Sequence, residues 1–170
     1  MTGTVAVGIL TVSDRSFRNQ RPDAAGPILA NLILASGWSV TITKIVPDEI
    51  DQISQALIEW ADELSLDLII TTGGTGFSPR DITPEATRRI IQKEAPGLAE
   101  AMRSMSLKTT PHAMLSRSVA GIRSHTLIIN LPGNPQAASE NLAVVLPVLP
   151  HAFQLLRDSP YSESGHKASG

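Results

Sequence analysis

The chain has 170 residues, 42% of them hydrophobic, which suits one globular domain with a full core. Fourteen basic against sixteen acidic side chains give a net charge of -2, so no basic excess exists for a nucleic-acid footprint; two Trp, one Tyr and three Phe are too few for a base-stacking platform. The absence of cysteine excludes disulfides, thiolate zinc sites and thiol nucleophiles.

MTGTVAVGILTVSDR lacks the basic start and long apolar centre of a signal peptide, and no apolar run approaches the roughly 18 residues of a membrane span. The expected location is the cytoplasm, with no membrane partner. Residues 5–12, VAVGILTV, predict a strand. Residues 24–36 carry Ile28, Leu29, Leu32, Ile33 and Ala35 at helical spacing, and Gly37 provides a stop. VTITKIV, 40–46, predicts the second strand. Pro47 ends it, and Asp48 stands where an N-cap belongs for a helix presenting Ile50, Ile53, Leu57, Ile58 and Ala61. DLIITT, 67–72, is nearly all apolar, as expected of a strand covered on both faces.

After a glycine-rich loop, Thr83 is the expected cap of a helix with Pro84 and Glu85 in its first turn. Pro96 and Gly97 break that helix, and LAEAMRSMSL predicts another. TLIINL, 126–131, is a further buried strand, closed by Pro132 and Gly133 before the helical QAASENLAVVL. This succession predicts a three-layer αβα fold, a mainly parallel doubly wound sheet in a single domain over 1–156. Residues 157–170 are polar and aperiodic and read as a disordered tail.

In a doubly wound sheet, ligands bind beyond the carboxyl ends of the strands. Four exits belong at that edge: Ser13-Asp14, Pro47-Asp48, Gly73-Gly74-Thr75-Gly76 and Asn130-Leu131-Pro132-Gly133-Asn134. Glycines bring several backbone N–H groups close to one anion, and the Thr75 hydroxyl adds a donor. The helix start at Thr83 and the Arg80 guanidinium favour phosphate further. Asp81 would repel phosphate alone, but it makes sense beside a magnesium ion, with Asp48 as the second carboxylate.

Each feature has a plainer reading. GGTG alone is often a tight turn, Asp48 a helix cap, Asp81 a surface partner of Arg80, and Ser13-Asp14 a polar turn. Convergence on one edge favours a ligand site. His112, His125, His151 and His166 have no ligand spacing, and Ser116 has no nearby histidine to act as base.

TTGGTGFSPRDITPEA at 71–86, VPDE at 46–49, MLSRSVAGIR at 114–123 and LIINLPGNPQA at 127–137 resemble the molybdopterin adenylyltransferases of the MoaB/Mog family, which include the G domains of gephyrin and its plant counterpart. The likeness runs from about Val5 to about Leu156. It implies ATP-dependent transfer of AMP to the terminal phosphate of molybdopterin, with magnesium, during molybdenum cofactor synthesis. By that resemblance Asp48 and Asp81 align the reacting groups and serve magnesium, and Gly73, Gly74, Thr75 and Gly76 hold phosphate or the pterin's tail. Ser13, Asp14, Ser116, Asn130, Pro132 and Gly133 line the site for the two substrates. It also implies a homotrimer that hands its product to a molybdate-inserting enzyme. A non-catalytic branch of the family leaves a molybdopterin carrier as the alternative; LPGNP and LSR resemble the active branch.

Overall fold

The computed structural model describes residues 4–157. Along the chain run β1 (Ala6–Val12), α1 (Asp14–Phe17), α2 (Ala25–Ala35), β2 (Ser39–Val46) and α3 (Ile50–Ile58), the last continued by a π-helical turn, Glu59–Glu63. Then come β3 (Leu68–Thr72), α4 (Thr83–Ile90), β4 (Lys93–Glu94) and α5 (Pro96–Leu107). A 3-10 turn, Pro111–Leu115, leads into β5 (Ala120–Arg123) and β6 (Thr126–Leu131), and α6 (Pro135–Val145) and α7 (Leu149–Leu156) complete the fold.

One six-stranded sheet has the order β2-β1-β3-β6-β5-β4. The first four are parallel neighbours, whereas β5 runs antiparallel to β6 and β4 antiparallel to β5. Alternation along the strands divides the core into two layers. Val7 and Ile9 of β1, Leu68 and Ile70 of β3 and Leu127 and Ile129 of β6 pack with Leu29, Met102, Leu142 and Phe153 from α2, α5, α6 and α7. Leu10, Ile69 and Ile128, from the same strands, face Ile53, Leu57, Trp60 and Ala86 on the other side. Apolar side chains on both faces are what a covered parallel sheet requires.

Several boundaries differ from the sequence reading. Pro96 does not merely break a helix: α4 ends at Ile90, and Pro96 opens α5 at a position where its missing N–H costs nothing. Asp48 caps nothing; α3 begins beyond Glu49, without a side-chain cap. Thr83 is likewise inside α4, and Ile82 precedes it without capping. The single-turn α1, the edge strand β4 and its neighbour β5 lie where no element was predicted. Of the expected tail, Arg157 is held by an ion pair to Asp67 at 2.6 Å, and the remainder lies outside the described residues.

Strand order reverses between β1 and β3, since β2 lies to one side of β1 and β3 to the other. The carboxyl ends of these two strands flank the crevice where such a sheet binds ligands.

Candidate functional site

A cleft of about 760 Å³ opens at this switch point, floored by Thr11, Val12, Thr72 and Gly73 and rimmed by the loops that follow β1, β2, β3 and β6. At the exit of β1, the Ser13 amide donates to the Val46 carbonyl at 3.0 Å, continuing the β1–β2 pairing past the strand ends. The Ser13 hydroxyl accepts the Ser16 N–H and so starts α1. Asp14 and Asp48 are tied reciprocally. The Asp14 amide donates to Asp48 Oδ2 at 2.8 Å, and the Asp48 amide donates to Asp14 Oδ1 at 3.1 Å.

That exchange explains the failed capping prediction at Asp48. Its carboxylate turns toward the glycine loop, within 3.1 Å of where a Cβ on Gly74 would sit. The group is half-buried, and desolvation pushes its carboxyl above the ordinary range; the Asp14 amide lowers it, while the charges of Asp14 and Asp81 add to the rise. Asp14 goes the other way. Arg80 donates to both of its oxygens, at 2.9 and 3.0 Å, and holds its carboxyl below the usual value against some desolvation.

The loop between β3 and α4 is shaped by Gly73 at φ +100° and Gly74 at φ +66°, a region L side chains avoid. Space is equally restrictive: a Cβ on Gly73 would lie 2.3 Å from the Val12 carbonyl oxygen. The Thr83 hydroxyl donates to the Gly73 carbonyl at 2.9 Å, and its amide donates to the Gly74 carbonyl at 3.0 Å. Thr83 therefore pins the loop to the start of α4 in place of capping the helix. Gly74 and Thr75 N–H groups are not taken by backbone carbonyls among the described residues.

Asp81 closes the same loop. Its Oδ2 accepts the N–H groups of Gly76 and Ser78, both at 3.1 Å. It lines the cleft together with Asp48, Ser13, Asp14, Gly73, Gly74, Arg80 and Gly133. Arg80 is committed elsewhere, however. Besides Asp14 it donates to Glu49 Oε1 at 2.9 Å, so any contact with phosphate requires it to exchange partners. Its side chain is 52% exposed, so water can replace these partners when Arg80 turns toward a ligand.

The other predicted residues do not share the cleft. Thr75, Gly76, Ser116 and Pro132 line a second cavity of about 290 Å³ behind the loop, with Ala99, Met102 and Ala113 as apolar walls. Within that lining, Ser118 Oγ is buried and has no hydrogen-bond partner among the described residues. Asn130 lines neither cavity. Its carboxamide is fully buried, donating to the hydroxyls of Thr71 and Thr87 at 2.9 Å each and accepting the Val119 amide at 3.2 Å. The reading of Asn130 as a ligand-lining residue is corrected to one of internal structure: the second residue from the end of β6 points into the α4 layer.

Two further side chains brace the loops around the cleft and were not among the expected site residues. Asp23 borders the cleft, accepting the Thr11 hydroxyl at 2.7 Å and the Gly26 amide at 3.0 Å. Its signal was an aspartate three residues ahead of a helical glycine. Arg117 clamps the glycine loop from outside; it stands in the LSR motif, but its clamping role had no local signal, since its partners lie 32 to 41 residues away.

Among the described residues no group of three or more His, Asp or Glu could hold a metal ion, and no helix is long and apolar enough to cross a membrane. The donor set, two carboxylates beside unpaired loop amides, fits magnesium arriving with a polyphosphate better than a resident metal.

The family model described as "Probable molybdopterin binding domain" matches residues 8–151. A molybdopterin adenylyltransferase of Helicobacter pylori strain J99 is 43% identical over 157 residues, covering 90% of this chain and 88% of the relative. Gephyrin of Dictyostelium discoideum is 46% identical over 92% of this chain, which spans only 23% of gephyrin's length. The solved structure of the molybdopterin biosynthesis enzyme MoaB from Thermus thermophilus superimposes with a TM-score of 0.87 at 51% identity, covering 93% of this chain and 99% of that one. Matched almost end to end in sequence and fold, the chain belongs to the molybdopterin-binding domain family of molybdenum cofactor biosynthesis.

Proposed function

We propose that this chain is a magnesium-dependent molybdopterin adenylyltransferase. The observation that carries the reading is that Asp48 and Asp81 line one cleft, against a glycine loop whose Gly74 and Thr75 N–H groups are not taken by backbone carbonyls among the described residues. The name of the Helicobacter relative, which this chain matches over most of both lengths, supports the same reaction.

In that reaction an oxygen of the terminal phosphate of molybdopterin attacks the α-phosphorus of ATP. The bond from that phosphorus to the oxygen bridging to the β-phosphate breaks, and pyrophosphate leaves. The nucleophile is already an anion, so the protein needs no activated serine or cysteine, consistent with Ser116 having no catalytic base. Its task is to bring two anions together and to hold the departing charge. The amides of Gly74 and Thr75 receive phosphate oxygens. Asp48 and Asp81 are the carboxylates that would hold magnesium, which when bound neutralises charge on the triphosphate. Arg80 moves from Asp14 and Glu49 onto phosphate when substrate enters. The smaller cavity, with apolar walls and the unpartnered Ser118 hydroxyl, receives a flat heterocycle from one of the two substrates.

The test is direct. Purified chain with ATP, magnesium and molybdopterin should release pyrophosphate and yield adenylylated molybdopterin by mass. Binding of molybdopterin without pyrophosphate release would make the chain a carrier. The homotrimer and the hand-off to a molybdate-inserting enzyme rest on the family resemblance; light scattering on the eluted protein tests the first, expecting three times the chain mass.

A further inference from the structure

Residues 116–118 run as an extended segment along the smaller cavity. Ser116 and Ser118 face the smaller one. Behind them Arg103 of α5 donates to the Ser118 carbonyl at 2.9 Å and more weakly to the Ser116 carbonyl at 3.4 Å. Between them the Arg117 side chain projects the opposite way. Its Nε donates to the Gly76 carbonyl at 2.7 Å, one terminal nitrogen donates to the Asp81 carbonyl at 2.7 Å, and the other pairs with Glu85 of α4. The Arg117 amide adds a bond to the Thr75 carbonyl at 2.9 Å.

We infer that Arg117 is a positioning residue, which fixes the Asp81-bearing loop and couples it to the wall of the second cavity. A planar guanidinium with several donors can bridge two carbonyls and a carboxylate at once, which an ammonium cannot. Both carbonyls belong to residues at the ends of the turn that the Asp81 carboxylate closes from inside, so the turn is held from two sides. Anything that seats against Ser116 and Ser118 thereby bears on Asp81 through one residue. Misplacing an aligning group by an ångström is enough to cost a large rate factor, whereas ground-state binding suffers less. This inference rests on the adenylyltransferase reading for its kinetic consequence but not for its mechanical one.

The experiment compares Arg117→Ala, Arg117→Lys and the double variant Arg117→Ala with Glu85→Ala, which removes the carboxylate left unpaired. Hydrogen–deuterium exchange of the peptide covering 73–83 is measured without ligands, with peptides from β3 and β6 as internal references. In all three variants exchange should rise in 73–83 and stay unchanged in the references. In AMP transfer, kcat should fall by about 10²-fold in the alanine variants with KM for ATP changed less than about threefold, and added guanidinium should restore part of the rate to Arg117→Ala. Arg117→Lys should lie between. Unchanged exchange in 73–83, or a rise shared equally by β3 and β6, overturns the inference, as does wild-type kcat in a variant with loosened exchange. If the unsubstituted chain releases no pyrophosphate, the adenylyltransferase reading fails, while the exchange comparison still decides the role of Arg117.

Discussion

Asp48 and Asp81 look alike in sequence, but their surroundings assign them different costs. Burial pushes the Asp48 carboxyl up, and the neighbouring carboxylates add to the rise. A carboxyl raised in the folded state contributes stability that is complete below its unfolded value and is lost as pH rises through its folded value. Asp48→Asn should therefore be at least as heat-stable as the parent at neutral pH, since the amide oxygen still accepts the Asp14 N–H, while AMP transfer falls by about 10²-fold or more. Melting midpoints between about pH 4 and pH 8 check the first expectation: the advantage of Asp48→Asn should shrink toward the acid end. Asp81→Asn keeps an oxygen for the Gly76 and Ser78 amides, so it should fold and bind molybdopterin but lose AMP transfer, measured as pyrophosphate release. Asn130 shows where residue-level reading stops. The NLPGNP stretch marks a strand exit, yet only the two-residue period of β6 decides that Asn130 points down to Thr87, and that orientation depends on which layer α4 occupies. Arg80 was legible as a cationic residue at the loop, but not as a partner of Asp14 and Glu49.

At the scale of elements, long apolar strands and periodic helices could be read directly. TLIINL begins and ends where β6 does, and α2 and β2 fall within a residue of their expected limits. What was illegible is short or edge-bound. β4 has two exposed residues, and β5 begins with Ala-Gly, which carries little strand propensity. α1 is a single turn, and Pro147 and Pro150 obscure the helical period of α7. The glycine loop was legible as a phosphate-type turn because its residue types are dictated by conformation and space. Gly73→Ala should combine positive-φ strain with a clash against the Val12 carbonyl, costing about 2–4 kcal/mol and lowering the melting midpoint by roughly 5–15 °C. Gly37→Ala is the control. Its φ of +79° carries the strain, but nothing lies within 4 Å of a Cβ, so the loss should stay near about 1 kcal/mol. Differential scanning calorimetry on the pair separates strain from overlap.

The whole molecule joins these parts through one topological fact, the reversal of strand order at β1 and β3. It places loops separated by 34 to 66 residues in sequence into contact, as in the Asp14–Asp48 and Asp14–Arg80 pairs. Sequence reading reached that convergence from the fold rule alone, but it could not divide the edge into two cavities, because the dividing wall is the glycine loop's own backbone. The proposal that magnesium arrives with substrate has a further consequence for the whole fold. Chelation with EDTA should abolish AMP transfer while leaving the melting midpoint within about 1 °C, since no carboxylate cluster among the described residues is large enough to hold a structural ion.

The most direct test of a shared cation at the loop is a crystal structure with a non-hydrolysable ATP analogue and manganese in place of magnesium, read by the metal's anomalous signal. One peak is expected, coordinated by Asp48 or Asp81, or both, and by the analogue's phosphate oxygens, with the phosphates against the amides of Gly74 and Thr75. Triphosphate density away from the glycine loop, or a metal peak touching neither aspartate, would contradict it.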